Sequence, residues 1–173
     1  VTDLKTILED KTLASKARTE ALGNLILEGK LGVDEFVSGA GHMKDSFRGT
    51  LIEALELASK AQPEIITLDA FHFAVENLGH KAPRVRRESA KVIGNVAHLF
   101  SNKLDEAIKQ LLINTEDSGT VVRWSAAYAL GQIIQTAVPN RDELIEAVRA
   151  ISERDEKNSI KKVYQAALKK VQQ

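Results

Sequence analysis

A short pattern recurs five times along this chain at nearly equal intervals, and no other feature restricts the possible folds so strongly. The two copies that match best are VRRESAKVIGNV, from Val85, and VRWSAAYALGQI, from Val122, and both place a glycine eight residues past the arginine. The same register contains FRGTLIEALELA at Phe47-Arg48, IKKVYQAALKKV at Ile160-Lys161 and ASKARTEALGNL at Ala14-Ser15, where Gly23 again takes the glycine position. The second residues of these pairs are 15, 48, 86, 123 and 161, giving spacings of 33, 38, 37 and 38. A period in this range marks stacked helical hairpins, each of which buries its apolar face only against its neighbours.

The segments between the copies agree. LDEAIKQLLIN carries apolar residues at 104, 107, 108, 111 and 112, the period of a helix with one buried stripe. Each repeat therefore reads as helix, turn, helix. First helices are expected over 2–9, 33–40, 64–78, 103–114 and 141–153, and second helices over 11–28, 44–60, 84–99, 119–136 and 157–171. No segment alternates like a strand. Pro63 and Pro139 fall between repeats, and Pro83 falls in the first turn of a second helix, where its missing N–H is harmless. Asn140 with Glu143 has the spacing of a capping box. Gly39-Ala40-Gly41 reads as a turn, since it lacks the strand and third glycine of a dinucleotide loop.

Composition narrows the function classes. With 173 residues, 43% of them apolar, the chain can bury a substantial core in one domain spanning 1–173. Its repeats run approximately over 1–30, 31–61, 62–100, 101–138 and 139–173. Lysine plus arginine equals aspartate plus glutamate at 24 each, so no global field draws in nucleic acid or an anionic membrane. The absence of cysteine removes disulfides, thiolate metal sites and a cysteine nucleophile. No apolar run has the length of a membrane span, and the expectation drawn from these silences is a cytoplasmic protein without a membrane partner.

The Val-Arg, Ala, Leu-Gly pattern of the second helices, strongest at 85–96 and 122–133, resembles that of HEAT repeats across nearly the whole chain. The resemblance implies an all-α, right-handed alpha-alpha superhelix, a short solenoid of about five HEAT-like hairpins. It also implies a ladder, in which the motif arginine of one repeat pairs with the turn aspartate of the next. The implied rungs are Arg86 with Asp117 and Arg123 with Asp155. Repeats two and three carry His42 and His80 at the turn position, and repeat one has Glu9 with Ser15 in place of the arginine. The ladder is therefore expected to be incomplete toward the N-terminus.

Glycine inside a helix costs about 1 kcal/mol relative to alanine, so Gly23, Gly94 and Gly131 at one register point to close packing between repeats. Repeat two has Glu56 there, implying irregular packing, and repeat five has Lys169. Lys161, Lys162, Gln165, Lys169, Lys170 and Gln172 give the last helix the polar face of a solenoid cap, and the chain is expected to be a complete small solenoid.

Residues one, five and nine past each motif arginine share a face of the second helix, away from its apolar positions. They are Arg87, Lys91 and Asn95 in repeat three, Trp124, Tyr128 and Gln132 in repeat four, and Lys162, Ala166 and Lys170 in repeat five. By resemblance to HEAT solenoids, second helices line the concave side. The candidate binding residues are Arg87, Lys91, Trp124, Tyr128, Gln132 and Lys162, an aromatic pair flanked by cations, residue types enriched at binding hot spots. Against this stands a structural role, with Trp124 packed between second helices and Arg87 covering its face.

Other constellations are weaker. Lys81, Arg84, Arg86, Arg87 and Lys91 form a basic run with Glu88 as its single acid, which as free surface would bind phosphate. Asp69, His72 and Glu76 share a helix face but lack the second histidine of a usual zinc set. His98 near a helix end reads as a cap or packing residue. No triad can be assembled, so no catalytic residue, cofactor or metal is expected. The favoured function is a non-enzymatic interaction or scaffold module that grips a protein or peptide partner on the concave face. A nucleic-acid-binding protein is the alternative, by resemblance to HEAT-like glycosylases of alkylated bases, although no acid is evident beside the tryptophan. A third class, a carrier or lyase like the HEAT-like phycobilin lyases, finds no specific residue.

Overall fold

A computed structural model describes residues 3–172, and every regular element among them is helical. The hairpins are α1 (Leu4–Glu9) with α2 (Ser15–Leu27), α3 (Val33–Gly41) with α4 (Arg48–Ala61), and α5 (Leu68–Asn77) with α6 (Pro83–Val96). Then come α7 (Asp105–Asn114) with α8 (Thr120–Ile133) and α9 (Arg141–Arg154) with α10 (Asn158–Val171). Most boundaries lie within four residues of the expected ones. The start of α4 is set by a 3-10 turn over Asp45–Phe47, and α6 gives way to another at Ala97–Leu99.

Local signals explain some ends and fail at others. The Asp3 side chain accepts from Lys5 N–H and that of Thr67 from Ala70 N–H, and Pro83 opens α6 as its missing donor allows. The expected capping box before α9 does not form: Asn140 sits at φ 57 with no side-chain cap bond, so its left-handed backbone turns the chain instead. Gly39 and Gly41 belong to the last turns of α3 rather than to a turn. Gly29, at φ 69, is the glycine that closes α2 in the left-handed region.

One continuous apolar core runs from Leu4 to Leu168. The second helices α2, α4, α6, α8 and α10 pack side by side, whereas α7 packs closely on neither α5 nor α9. A groove lined by Ile108, Leu112, Leu144 and Ala147 separates α7 from α9. The second helices thus form the dense layer of the stack and the first helices the more open one. The repeated glycines make the dense layer possible. A Cβ on Gly94 would lie 2.5 Å from Tyr128 Cε1, and one on Gly131 would lie 2.9 Å from Ala167 Cβ.

Directional bonds stitch the hairpins together from the second onward. Arg86 Nη2 donates to Asp117 at 2.8 Å while its Nη1 donates to the His80 carbonyl at 2.9 Å. Arg123 repeats the arrangement, with Nε donating to Asp155 at 3.1 Å and Nη1 to the Asp117 carbonyl at 3.1 Å. Each carboxylate also accepts a backbone N–H two residues on, from Gly119 and from Lys157. Both implied rungs are thus present.

Toward the N-terminus the rung changes chemistry. His80 Nδ1 accepts from Ala82 N–H at 3.0 Å, which leaves Nε2 as the donor to Asp45 at 2.7 Å. In this rung His80 occupies the turn position, and Asp45 of the second hairpin takes the place of the motif residue Arg48, so acid and base have exchanged sides. In the first hairpin Asp10 rather than Glu9 takes the turn role, accepting from Thr12 N–H at 2.8 Å, and Arg18 donates to the Asp10 carbonyl at 3.0 Å. Among the described residues, no side-chain hydrogen bond or ion pair joins the first hairpin to the second.

Candidate functional site

The core positions of α8 free its outer stripe. Val122, Ala126, Ala129, Leu130 and Ile133 are fully buried, so Val121, Trp124 and Tyr128 are left on the open side of the helix. Trp124 is 38% exposed and Val121 48%. The two rings lie nearly parallel, with centroids 6.0 Å apart and planes 6° apart. The indole is therefore at the surface, not in the core between repeats, although the aromatic pair divides its labour.

Tyr128 is the floor of this shelf. Its ring lies against Gly94 and its hydroxyl donates to Asn95 Oδ1. Asn95 Nδ2 in turn donates to Ser59 Oγ at 2.9 Å and reaches Glu56 Oε1 at 3.5 Å. Burial pushes the Tyr128 phenol up from its ordinary value, and the negative charge of Glu56 adds to this, so the hydroxyl stays a donor at neutral pH. The shelf is thus fixed across α4, α6 and α8 before any ligand arrives. Gln132 continues the stripe, half-buried, and Lys162 stands exposed on α10.

Arg87 and Lys91 lie on the neighbouring helix as the register requires, but their charges are occupied. Arg87 Nε is 3.0 Å from Glu88 Oε1, and Lys91 Nζ is 3.3 Å from Glu88 and 3.7 Å from Glu56. Glu88 is only 3% exposed, so this is a partly desolvated network rather than a surface pair. No arginine stacks on the indole; among the described residues the cation over a ring is Arg48, 5.5 Å from the Phe73 centroid. The rest of the basic run is paired as well: Lys81 with Asp45 at 3.1 Å, Arg84 with Glu53, and Arg86 with Asp117.

Sequence reasoning missed the acids. Glu56 and Glu88 line this side of the stack, and neither fitted the apolar pattern of its helix. The signal was present at position 56, where a charged residue replaces the recurring glycine; its carboxylate lies 3.7 Å from Lys91, which holds in α6 the register position that Tyr128 holds in α8. Asp69, His72 and Glu76 are exposed on α5, and among the described residues no three ligand-type side chains are gathered for a metal. His98 is exposed beyond α6. No described helix is long and apolar enough to cross a membrane.

Solved structures share this architecture. A designed armadillo repeat protein in complex with the peptide (KR)4 superposes with a TM-score of 0.69 at 18% identity, covering 96% of this chain and 79% of that one. The chain is an α-solenoid. A second designed armadillo repeat protein matches with a TM-score of 0.67 at 18% identity, over 96% and 79% of the two chains. An engineered protein matches at 0.60 and 16% identity, over 99% and 97%. At these identities the likeness concerns the fold. No family model matches the sequence, and no curated protein matches it.

Proposed function

We propose that this solenoid is a non-enzymatic interaction module whose concave face holds an extended or helical segment of a partner protein at the Trp124–Tyr128 shelf. The observation that carries the reading is the exposed indole stacked on a tyrosine that is already locked by Gly94 and Asn95. A fixed aromatic surface loses little conformational entropy on binding, which is why such residues dominate interface energies. The peptide complex of the designed armadillo neighbour supports a peptide as the class of ligand. The repeats themselves are of the two-helix HEAT type, a reading supported by the arginine–aspartate rungs and by hairpins without a third long helix.

Nucleic-acid binding has less support, because all five cations of the run from Lys81 to Lys91 face carboxylates. Base excision would need an acid free to act beside the indole, and Glu88 is held between Arg87 and Lys91. The test is selection of displayed peptides against the immobilised protein, followed by titration of Trp124→Ala and, on the opposite layer, Ile113→Ala. Trp124→Ala is expected to weaken selected peptides by about 2 kcal/mol or more while Ile113→Ala leaves them unchanged. Equal loss in both variants, or none in either, removes the shelf as the site.

A further inference from the structure

The second-helix face changes its charge along the stack. From Ser118 to Pro139 the only charged residue is Arg123, and from Lys157 to Gln173 there are five lysines and no acid. α8 and α10 therefore contribute no carboxylate to the face they form together. Arg123 is bound to Asp155, but Lys162 and Lys170, exposed at the same register positions as Trp124 and Gln132, have no described carboxylate within salt-bridge reach. α10 packs directly on α8, with Gly131 against Ala167, so the exposed positions 162 and 170 belong to the helix next to the aromatic shelf on its C-terminal side. On its other side Arg87 and Lys91 are already neutralised by Glu88 and Glu56. The shelf is thus apolar in the middle and cationic on one flank only.

We infer that the α8–α10 part of the face takes an acidic amphipathic segment of a partner protein, with an apolar side chain on Val121 and Trp124 and carboxylates facing Lys162 and Lys170. This rests on the peptide-binding reading above and adds the partner's chemistry to it. Charge complementarity selects the occupant: a basic segment would place cations beside two unpaired ammonium groups, and like charges in juxtaposition suppress wrong partners. A phosphate backbone would find, among the described residues of this stripe, two cations without a counter-charge, and would leave the exposed Val121 and Trp124 without an apolar partner. The preference is the reverse of that implied by the basic (KR)4 peptide on the designed armadillo protein.

The experiment uses three tryptophan-free peptides of equal length with the same leucine and phenylalanine positions, filled in with glutamate, lysine or glutamine, and a labelled oligothymidylate. Each peptide carries a fluorescent label, as the oligonucleotide does, and anisotropy reports the binding of all of them, in wild type and in Trp124→Ala alike. The glutamate peptide is expected to bind at least about tenfold more tightly than the lysine peptide at low salt, with the gap shrinking as salt screens it. Lys162→Glu combined with Lys170→Glu, substitutions at exposed positions, is expected to invert the order; helical circular dichroism checks that the variant folds. Equal binding of the three peptides, with loss in Trp124→Ala, leaves the shelf as a docking site and overturns the acidic partner. An unchanged order in the reversed variant also overturns it, as does tighter binding of the oligonucleotide. Binding of no peptide overturns both readings.

Discussion

The two ends of the stack place residues at the same register positions and reach opposite results. Around α4 and α6 the face is closed: Glu53 with Arg84, and Glu56 and Glu88 with Lys91 and Arg87, use up each other's charge. Around α8 and α10 it is open, with a stacked aromatic pair and lysines that have no described counter-charge. The rungs differ in parallel. Two largely buried arginine–aspartate pairs, each still in partial contact with solvent, tie the C-terminal repeats, while a histidine reaching a half-exposed Asp45 ties the second to the third. The lesson is that the hairpin stack supplies geometry alone, and the residues at a few repeated positions decide whether a stretch of face is finished or available.

The largest effect is expected at the rungs. Asp155→Ala leaves Arg123 partly buried without its carboxylate and is expected to cost about 3 kcal/mol in chemical denaturation, the range for breaking a buried pair. Asp45→Ala is expected to cost far less; if the two losses are alike, the ends do not differ as described. Next comes Gly94→Ala. Its methyl group would drive into the Tyr128 ring and meet Ala129 Cα at 3.2 Å, so a cost of about 1 to 3 kcal/mol is expected despite the better helix propensity of alanine. Peptide binding should fall with it, and stabilisation instead of loss would show that the shelf is not seated on that glycine.

Acid sharpens the same contrast. Burial by itself raises the Asp155 carboxyl, but hydrogen bonds from Arg123 and from Lys157 N–H, with the charges of Arg123 and Lys161, outweigh it and hold the group below the ordinary aspartate value of 3.8. Because the folded state binds the proton less readily than the unfolded chain, the rung's contribution is complete above about pH 4 and is lost as pH falls through the lower folded value. Wild type should therefore lose more stability between pH 7 and pH 3 than Asp155→Asn does; equal losses would remove the rung as a source of acid sensitivity. The smallest effect belongs to Glu116→Ala. Its pair with Arg154 is more than half exposed on both sides, and a change of about 0 to 1 kcal/mol is expected.

The repeat, the helices and the two C-terminal rungs were legible because each rests on a local pattern that the stack copies. Val122, Ala126 and Leu130 announce a buried stripe, and Arg123 announces its partner one period later. What could not be read is what crosses between copies without being copied. Asp45, in the 3-10 turn that leads into α4, takes the place of the motif residue Arg48 opposite His80. Arg87 and Lys91 read as cations flanking the aromatic pair, yet their charge depended on Glu88, next in sequence to Arg87, and on Glu56, a helix away. Tyr128 looked as free as Trp124, since nothing local distinguishes a ring held over a neighbour's glycine from one in solvent.

That no polar side-chain tie joins the described residues of the first two hairpins has a consequence for how the protein comes apart. α2 is held on α4 by contacts such as Leu57 against Gly23, and α1 on α3 by Leu4 against Gly39, whereas every later junction adds bonds of fixed direction. Local opening should therefore begin at the N-terminal end, so that amide protons of α2 exchange through a lower-energy opening than those of α6 and α8. Attachment by apolar contact weakens on cooling, so the first hairpin should also be the part whose protection declines soonest as the temperature is lowered.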